Sequence, residues 1–164
     1  MEKTLQVLNE LERGGVLARY AIGGAVAATF YVEPVATFDL DVFVVLPRKG
    51  VLLTLSPVYE ALRARGYTVE GECVVVEGVP VLFLPAYNAL VEEALGEAQD
   101  RVYGRTPTRI LSLEHLLAIC LQTGRAKDRD RVRLFGEQAT VDRARLLAIL
   151  ARHGLEERWR QWTQ

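Results

Sequence analysis

The chain has 164 residues, half of them hydrophobic and a quarter charged, the composition of an ordinary globular protein with room for a proper core. Its formal net charge of −1 offers no bulk attraction for nucleic acid and leaves only a local basic patch as a means of holding one. No apolar run approaches the ~20 residues a membrane helix needs, and the charged, amphipathic start MEKTLQVLNELERGG is no secretion signal, so a cytoplasmic protein without a membrane partner is expected.

In chain order, Leu5, Leu8 and Leu11 recur at helical spacing over Thr4 to Arg13, and Gly14-Gly15 stop that helix. A strand is expected over Ala18 to Ile22. A helix of small and apolar residues follows Gly24, should be buried against a sheet, and ends by Pro34. A second strand runs from Asp39 to Leu46, apolar on both faces after its start, as a central strand is. PRKG reads as a loop. Ser56 is placed as the cap of the next helix, with Pro57 at its first position and Gly66 as its stop. Three short strand signals, Tyr67 to Val69, Glu72 to Val76 and Val79 to Leu84, are joined by glycine-centred turns and form a meander that Pro85 ends. NALVEEALGEAQ reads as helix, RVYGRTPTRIL as a loop or short extended segment, and LEHLLAICLQTG as a helix capped by Ser112 and stopped by Gly124. GRAKDRDR bridges to RVRLFGEQA, and a last helical pair starts at Asp142, with Gly136 and Gly154 as candidate punctuation. The sum is an α/β core over residues 1–86 and a helical subdomain over 87–164 packed on it.

Chemistry concentrates between Tyr20 and Leu46. Residues two apart in a strand share a face, so Asp39 and Asp41 point the same way, with Phe43 and Val45 behind them. Like charges side by side repel and are poor strand formers, a penalty that a bound divalent cation removes. Hard oxygen ligands suit Mg²⁺, which takes one or two carboxylates plus substrate phosphates. About sixteen residues upstream, Gly23 and Gly24 open a helix, where glycine permits close backbone approach and free N–H groups face an anion. The alternative is a solvated carboxylate pair at a sheet rim.

This pattern resembles the nucleotidyltransferase superfamily typified by DNA polymerase β. That family carries a Gly-Gly or Gly-Ser turn opening a helix and an Asp-x-Asp on the next strand, matched here by Gly23-Gly24 and Asp39-Leu40-Asp41. The small bacterial branch that includes AbiEii-type toxins looks nearest, because a Thr stands two residues before the Asp pair, as Thr37 does; the Arg often found two residues before that Thr is Val35 here. The resemblance implies a small mixed sheet of the polymerase β-like core with a helical C-terminal half. It implies transfer of a nucleoside monophosphate from a nucleoside triphosphate to a hydroxyl or phosphate acceptor, assisted by Mg²⁺ in a two-metal site. Asp39 and Asp41 would be metal ligands and catalytic, with Gly23, Gly24 and Thr37 at the nucleotide. The acceptor could be a protein, a tRNA end or a small molecule, and an antitoxin would be a partner if the chain is a toxin.

The resemblance also assigns the basic cluster GRAKDRDRVR. Lys127 would face the triphosphate as a catalytic cation, and Asp128 would hold or orient the site; otherwise the cluster is a helix junction with solvated charge pairs. The family's third carboxylate, on the strand beside the Asp pair, falls at Leu82 in GVPVLFLP, and that strand has no acid. A general base is typically worth about 10² to 10⁴ in rate, so a non-catalytic protein of the same fold that binds nucleotide or a partner is the alternative. A dinucleotide-binding fold fails, because the turn is Gly-Gly-Ala rather than Gly-x-Gly-x-x-Gly. Cys73 and Cys120 lack metal-ligand spacing and read as free buried thiols; His115 and His153 read as structural; Trp159 and Trp162 read as anchors of the last helix.

Overall fold

The computed structural model describes residues 1–34, 36–47 and 54–163. Val35 and most of the PRKG loop lie outside the described residues. The first half holds α1 (Glu2–Arg13), β1 (Arg19–Ile22), α2 (Gly24–Ala28), β2 (Leu40–Val45), α3 (Ser56–Ala64), β3 (Thr68–Glu70), β4 (Cys73–Val76) and β5 (Val79–Pro85). The second half holds α4 (Ala89–Gly96), β6 (Gln99–Tyr103), β7 (Thr106–Ile110), α5 (Leu113–Thr123), α6 (Ala126–Gln138), α7 (Arg143–Arg152) and α8 (Glu156–Thr163). Seven strands form one mixed sheet in the order β3-β4-β5-β2-β1-β7-β6. β2 is central, antiparallel to β1 and parallel to β5, and β7 is parallel to β1. This is the mixed α/β class the sequence implied. Among the described residues no helix is long and apolar enough to cross a membrane.

β2 shows why a sequence with two acids forms a central strand. Leu40, Val42 and Val44 are fully buried, so one face is driven wholly by apolar burial. On the other face Phe43 is buried and Asp41 half-buried, and the acids are confined to the end of the strand where ladder neighbours stop. The meander forms as expected, with left-handed glycines at Gly71 and Gly78.

Several expectations are corrected. The helix after Gly24 ends at Ala28 rather than running to Pro34; a 3₁₀-like turn follows, with Thr29 Oγ1 donating back to the Val26 carbonyl. Ser56 is the first helical residue and makes no cap; Leu55 stands at the cap position, and Thr54 Oγ1 accepts from the Ser56 N–H. Residues 99–110 form the β6–β7 hairpin, so two strands beyond residue 86 belong to the same sheet as the first five. Tyr103 to Thr106 carry the turn through Gly104 at φ +60°, and β-branched Val102, Thr106 and Thr108 suit the strands. Gly136 lies inside α6 and punctuates nothing.

The helical half is organised around α5. Leu113 to Ala118 are all buried, Glu114 and His115 included. Ser112 Oγ accepts from the His115 N–H, and Gly124 closes the helix at φ +73°, as read from sequence. α6 begins immediately after, so the basic cluster is the first turns of a helix and not a bridge. Trp159 and Trp162 pack against the core.

Candidate active site

The two glycines and the acid pair meet in space. Gly23 N–H donates to the Asp41 carbonyl at 2.9 Å. Gly24 has φ +57°, and a Cβ there would stand 1.7 Å from Asp41 Oδ2; neither the backbone angle nor the space admits a side chain. A Cβ at Gly23 would fall 2.3 Å from the Phe43 ring. Glycine was expected here for a ligand's approach. What approaches in this structure is the Asp41 carboxylate.

Asp41 is held under electrostatic stress. Burial, and then the charge of Asp39 beside it, push its carboxyl above the ordinary value, against the pull of Arg131, Lys127 and Arg125. Asp39 sits just ahead of β2, where Thr37 Oγ1 donates to its Oδ1 at 3.1 Å. Among the described residues no cation comes within salt-bridge distance of either acid. Two hard carboxylates side by side, with the charge of Asp39 adding to the burial that raises Asp41, are a donor set that fits Mg²⁺.

α6 supplies the opposite wall. Asp128, 1% exposed, accepts from Arg125 Nε at 2.7 Å, from Arg125 Nη2 at 3.1 Å and from the Arg125 backbone N–H at 3.3 Å. Arg131 Nη1 lies 3.8 Å from its other side. As the third residue of the helix it neutralises orphan N–H dipoles and fixes two guanidinium groups. A cavity of about 550 Å³ opens between this wall and the β2 approach, lined by Ala25, Thr37, Phe38, Asp39, Lys127 and Arg131 among others. The structure therefore brings Thr37, Asp39 and Lys127 to one cavity, with Asp41, Gly23 and Gly24 beside it. Asp128 does not line it; both its oxygens are engaged by arginine.

Leu82 stands where the sequence placed it. In the parallel β2–β5 pair its register partner is Asp41, so the two side chains share a face, and leucine occupies the position beside the acid. One step along from the Val74–Val81 pair, Cys73 falls next to Leu82. Cys73 is half-exposed rather than buried, because β4 ends there, and burial followed by Asp39, Glu72 and Asp41 push its thiol up. Cys120 is buried as expected, its thiol pushed up to about 11 by burial.

A second group of ionisable residues lies elsewhere. Glu93, Glu97 and His115 are near enough to share an ion, yet Glu93 is already satisfied. It accepts from Arg152 Nη2 at 2.6 Å, and its oxygens lie 2.8 Å from His153 Nε2 and 3.3 Å from His115 Nε2. The Arg152 bond, then those of the two histidines, hold its carboxyl at about 2. This hub ties α4, α5 and α7 together, so both histidines are structural. Sequence reading missed Phe38, Leu134 and Glu137 as cavity residues. The signal for the helix was present: Lys127, Arg131 and Leu134 are spaced i, i+4, i+7 and share one face.

No family model and no curated protein matches the chain. Solved structures do. It aligns with ANT(2")-Ia, whose structure was determined in complex with adenylyl-2"-tobramycin, at 17% identity and TM-score 0.57, over 96% of this chain and 95% of that one. It also aligns with an antigenic nucleotidyltransferase-like protein from Paracoccidioides brasiliensis at 14% identity and TM-score 0.54, over 92% and 86% of the two chains. At these identities the likeness is one of fold: the chain shares the mixed α/β architecture of these two structures over nearly its whole length.

Proposed function

We propose that the protein is a Mg²⁺-dependent nucleotidyltransferase, moving a nucleoside monophosphate from a nucleoside triphosphate to a hydroxyl or phosphate acceptor. The observation that carries this reading is the convergence of Thr37, Asp39 and Lys127 on one cavity beside the Asp41–Gly24 contact. Asp39 and Asp41 would hold the metal, which when bound stabilises charge on the attacking and leaving oxygens. Thr37 orients the Asp39 carboxylate. Lys127 and Arg131 offer fixed positive charge to the triphosphate and the departing pyrophosphate. Asp128 keeps Arg125 and Arg131 in place without touching substrate.

For the acceptor, a small molecule bearing a hydroxyl is the reading with most support, because ANT(2")-Ia, bound to an adenylylated small molecule, matches along nearly its whole length. A toxin role, with a protein or tRNA acceptor and an antitoxin partner, rests on the AbiEii-like placing of Thr37 and of Lys127-Asp128 in the sequence. Leu82 in register with Asp41 favours a second reading, a nucleotide-binding protein without turnover, since leucine cannot take a proton from an acceptor.

Thermal unfolding with Mg²⁺ and each ribonucleoside triphosphate tests the site. Ligand at about 100 times its dissociation constant adds about 2.7 kcal/mol, and Asp39→Asn and Asp41→Asn should remove that gain. Pyrophosphate release with candidate acceptors then separates the readings. Nucleotide binding with no turnover on any acceptor leaves the binding protein, and no binding of any triphosphate rejects both.

A further inference from the structure

Phe38 is 95% exposed, the highest value among the exposed large hydrophobic residues described. A phenylalanine ring in water contributes nothing to this fold, and it stands directly between Thr37 and Asp39, at the wall of the cavity. The opposite wall changes character along α6. Lys127 and Arg131 present charge near the acids, and Leu134, on the same helix face, presents an apolar side chain. Seven residues of helix separate Lys127 from Leu134, roughly 10 Å at 1.5 Å per residue, comparable to the reach from a nucleotide's phosphates to its base. The cavity thus offers cations at Lys127 and Arg131, one apolar side chain at Leu134 between the charged Arg133 and Glu137, and a free aromatic face at its rim.

We infer that Phe38 is the stacking platform for the donor nucleobase, which lies against its ring on the Leu134 side of the cavity while the triphosphate lies at Lys127 and Arg131. The inference rests on the nucleotidyltransferase reading and extends it to a specificity-determining residue. The donor is preferred over the acceptor as occupant because base and phosphates are tethered through the ribose. A ligand whose phosphates sit at Lys127 must carry its base into this same space. Aromatic stacking on a base tolerates any base, since each has a π face.

The experiment compares binding of each Mg²⁺–ribonucleoside triphosphate with that of Mg²⁺–inorganic tripolyphosphate, which has the charges and no base, in wild type, Phe38→Ala and Phe38→Trp. Because the ring is exposed, neither variant should disturb folding, and unliganded melting temperatures check this. Phe38→Ala should weaken the best nucleotide about 5- to 140-fold, equivalent to about 1–3 kcal/mol at 1.4 kcal/mol per tenfold. It should leave tripolyphosphate unchanged, and Phe38→Trp should restore or exceed wild-type affinity for the nucleotide. Nucleotide affinity unaffected by Phe38→Ala, or a loss shared equally by tripolyphosphate, overturns the inference while the wild-type binding keeps the nucleotide site. An effect confined to the Michaelis constant of an acceptor also overturns it. A wild type that binds neither ligand overturns the inference together with the reading beneath it.

Discussion

The Glu93 hub and the Asp39–Asp41 pair each gather ionisable groups from several elements, and they do so with opposite electrostatic outcomes. At Glu93 one carboxylate meets an arginine and two histidines, and its carboxyl is held at about 2. At Asp41 a carboxylate meets another carboxylate, with its cations kept at a distance, and its carboxyl is pushed up. The first arrangement favours the folded state as it stands. The second costs the folded state and is relieved by a ligand of opposite charge. Fixed, satisfied charge marks a joint between helices; frustrated charge beside a cavity marks a candidate binding site.

The comparison breaks most sharply at Gly24. Gly24→Ala meets both a left-handed backbone angle and the Asp41 carboxylate at 1.7 Å, so Asp41 must move. Mg²⁺–nucleotide stabilisation should disappear and the melting temperature should fall. Gly15→Ala is the control: its φ of +72° imposes the same backbone strain, roughly 1–2 kcal/mol, with nothing within 4 Å of the new Cβ. It should lower the melting temperature and leave nucleotide binding intact. If Gly24→Ala binds nucleotide normally, the Asp41–Gly24 contact has no part in the site.

Glu93→Gln should do the reverse, costing stability without touching nucleotide affinity. Hydrogen bonds to a charged partner are worth about 1.5–3 kcal/mol, which means several degrees for a chain of this size. The pH dependence has a defined sign. The carboxyl is lowered in the folded state from 4.5 to about 2, so its contribution is fully present above pH 4.5 and is lost as pH falls through 2. His115, His153, Arg152, Glu97 and Arg145 are the charged or titratable groups around it. The gap between wild type and variant, measured by denaturant unfolding, should be constant from pH 7 to 5 and close toward pH 2. A gap that instead widens on acidification would mean that the histidines, not the glutamate, set the hub's titration.

Much of this architecture was legible because short-range rules fixed it. The alternation around Asp41, the meander turns, the cap at Ser112 and the helix start at Asp142 each depend on a few neighbouring residues, and all were formed as read. The β6–β7 hairpin was hidden because QDRVYGRTPTRI is mostly polar; Val102 and Tyr103 are exposed, so hydrophobic periodicity carries little signal there, and the two strands are defined by pairing with each other, joined to β1 at Ile22–Ile110. The placement of Leu82 beside Asp41 was readable only through the family resemblance, which sets the third carboxylate at that position. The role of Phe38 was not, because a phenylalanine ahead of a strand reads as core, and only its exposure reveals that it is not.

The smallest effect is the most specific test of frustration at the pair. In the presence of a chelator, with no divalent cation available, Asp41→Asn should raise the melting temperature of the unliganded protein at pH 7. The asparagine keeps the shape of the side chain and removes the charge that burial and Asp39 both disfavour. The sign follows from linkage: a group whose proton affinity is raised on folding lowers stability once it is ionised. Loss of the distant attraction from Arg131, Lys127 and Arg125 acts against this, but the upward displacement of the carboxyl means that the unfavourable contributions dominate. On the proposed function, the same variant should lose the stabilisation expected of Mg²⁺ in the wild type, so the two melting temperatures should cross as Mg²⁺ is added. Natural sequences commonly retain such costs only where activity needs them. A fall in the unliganded melting temperature would show that Asp41 is already satisfied by the cations of α6, and the contrast with Glu93 would then be one of distance rather than of kind.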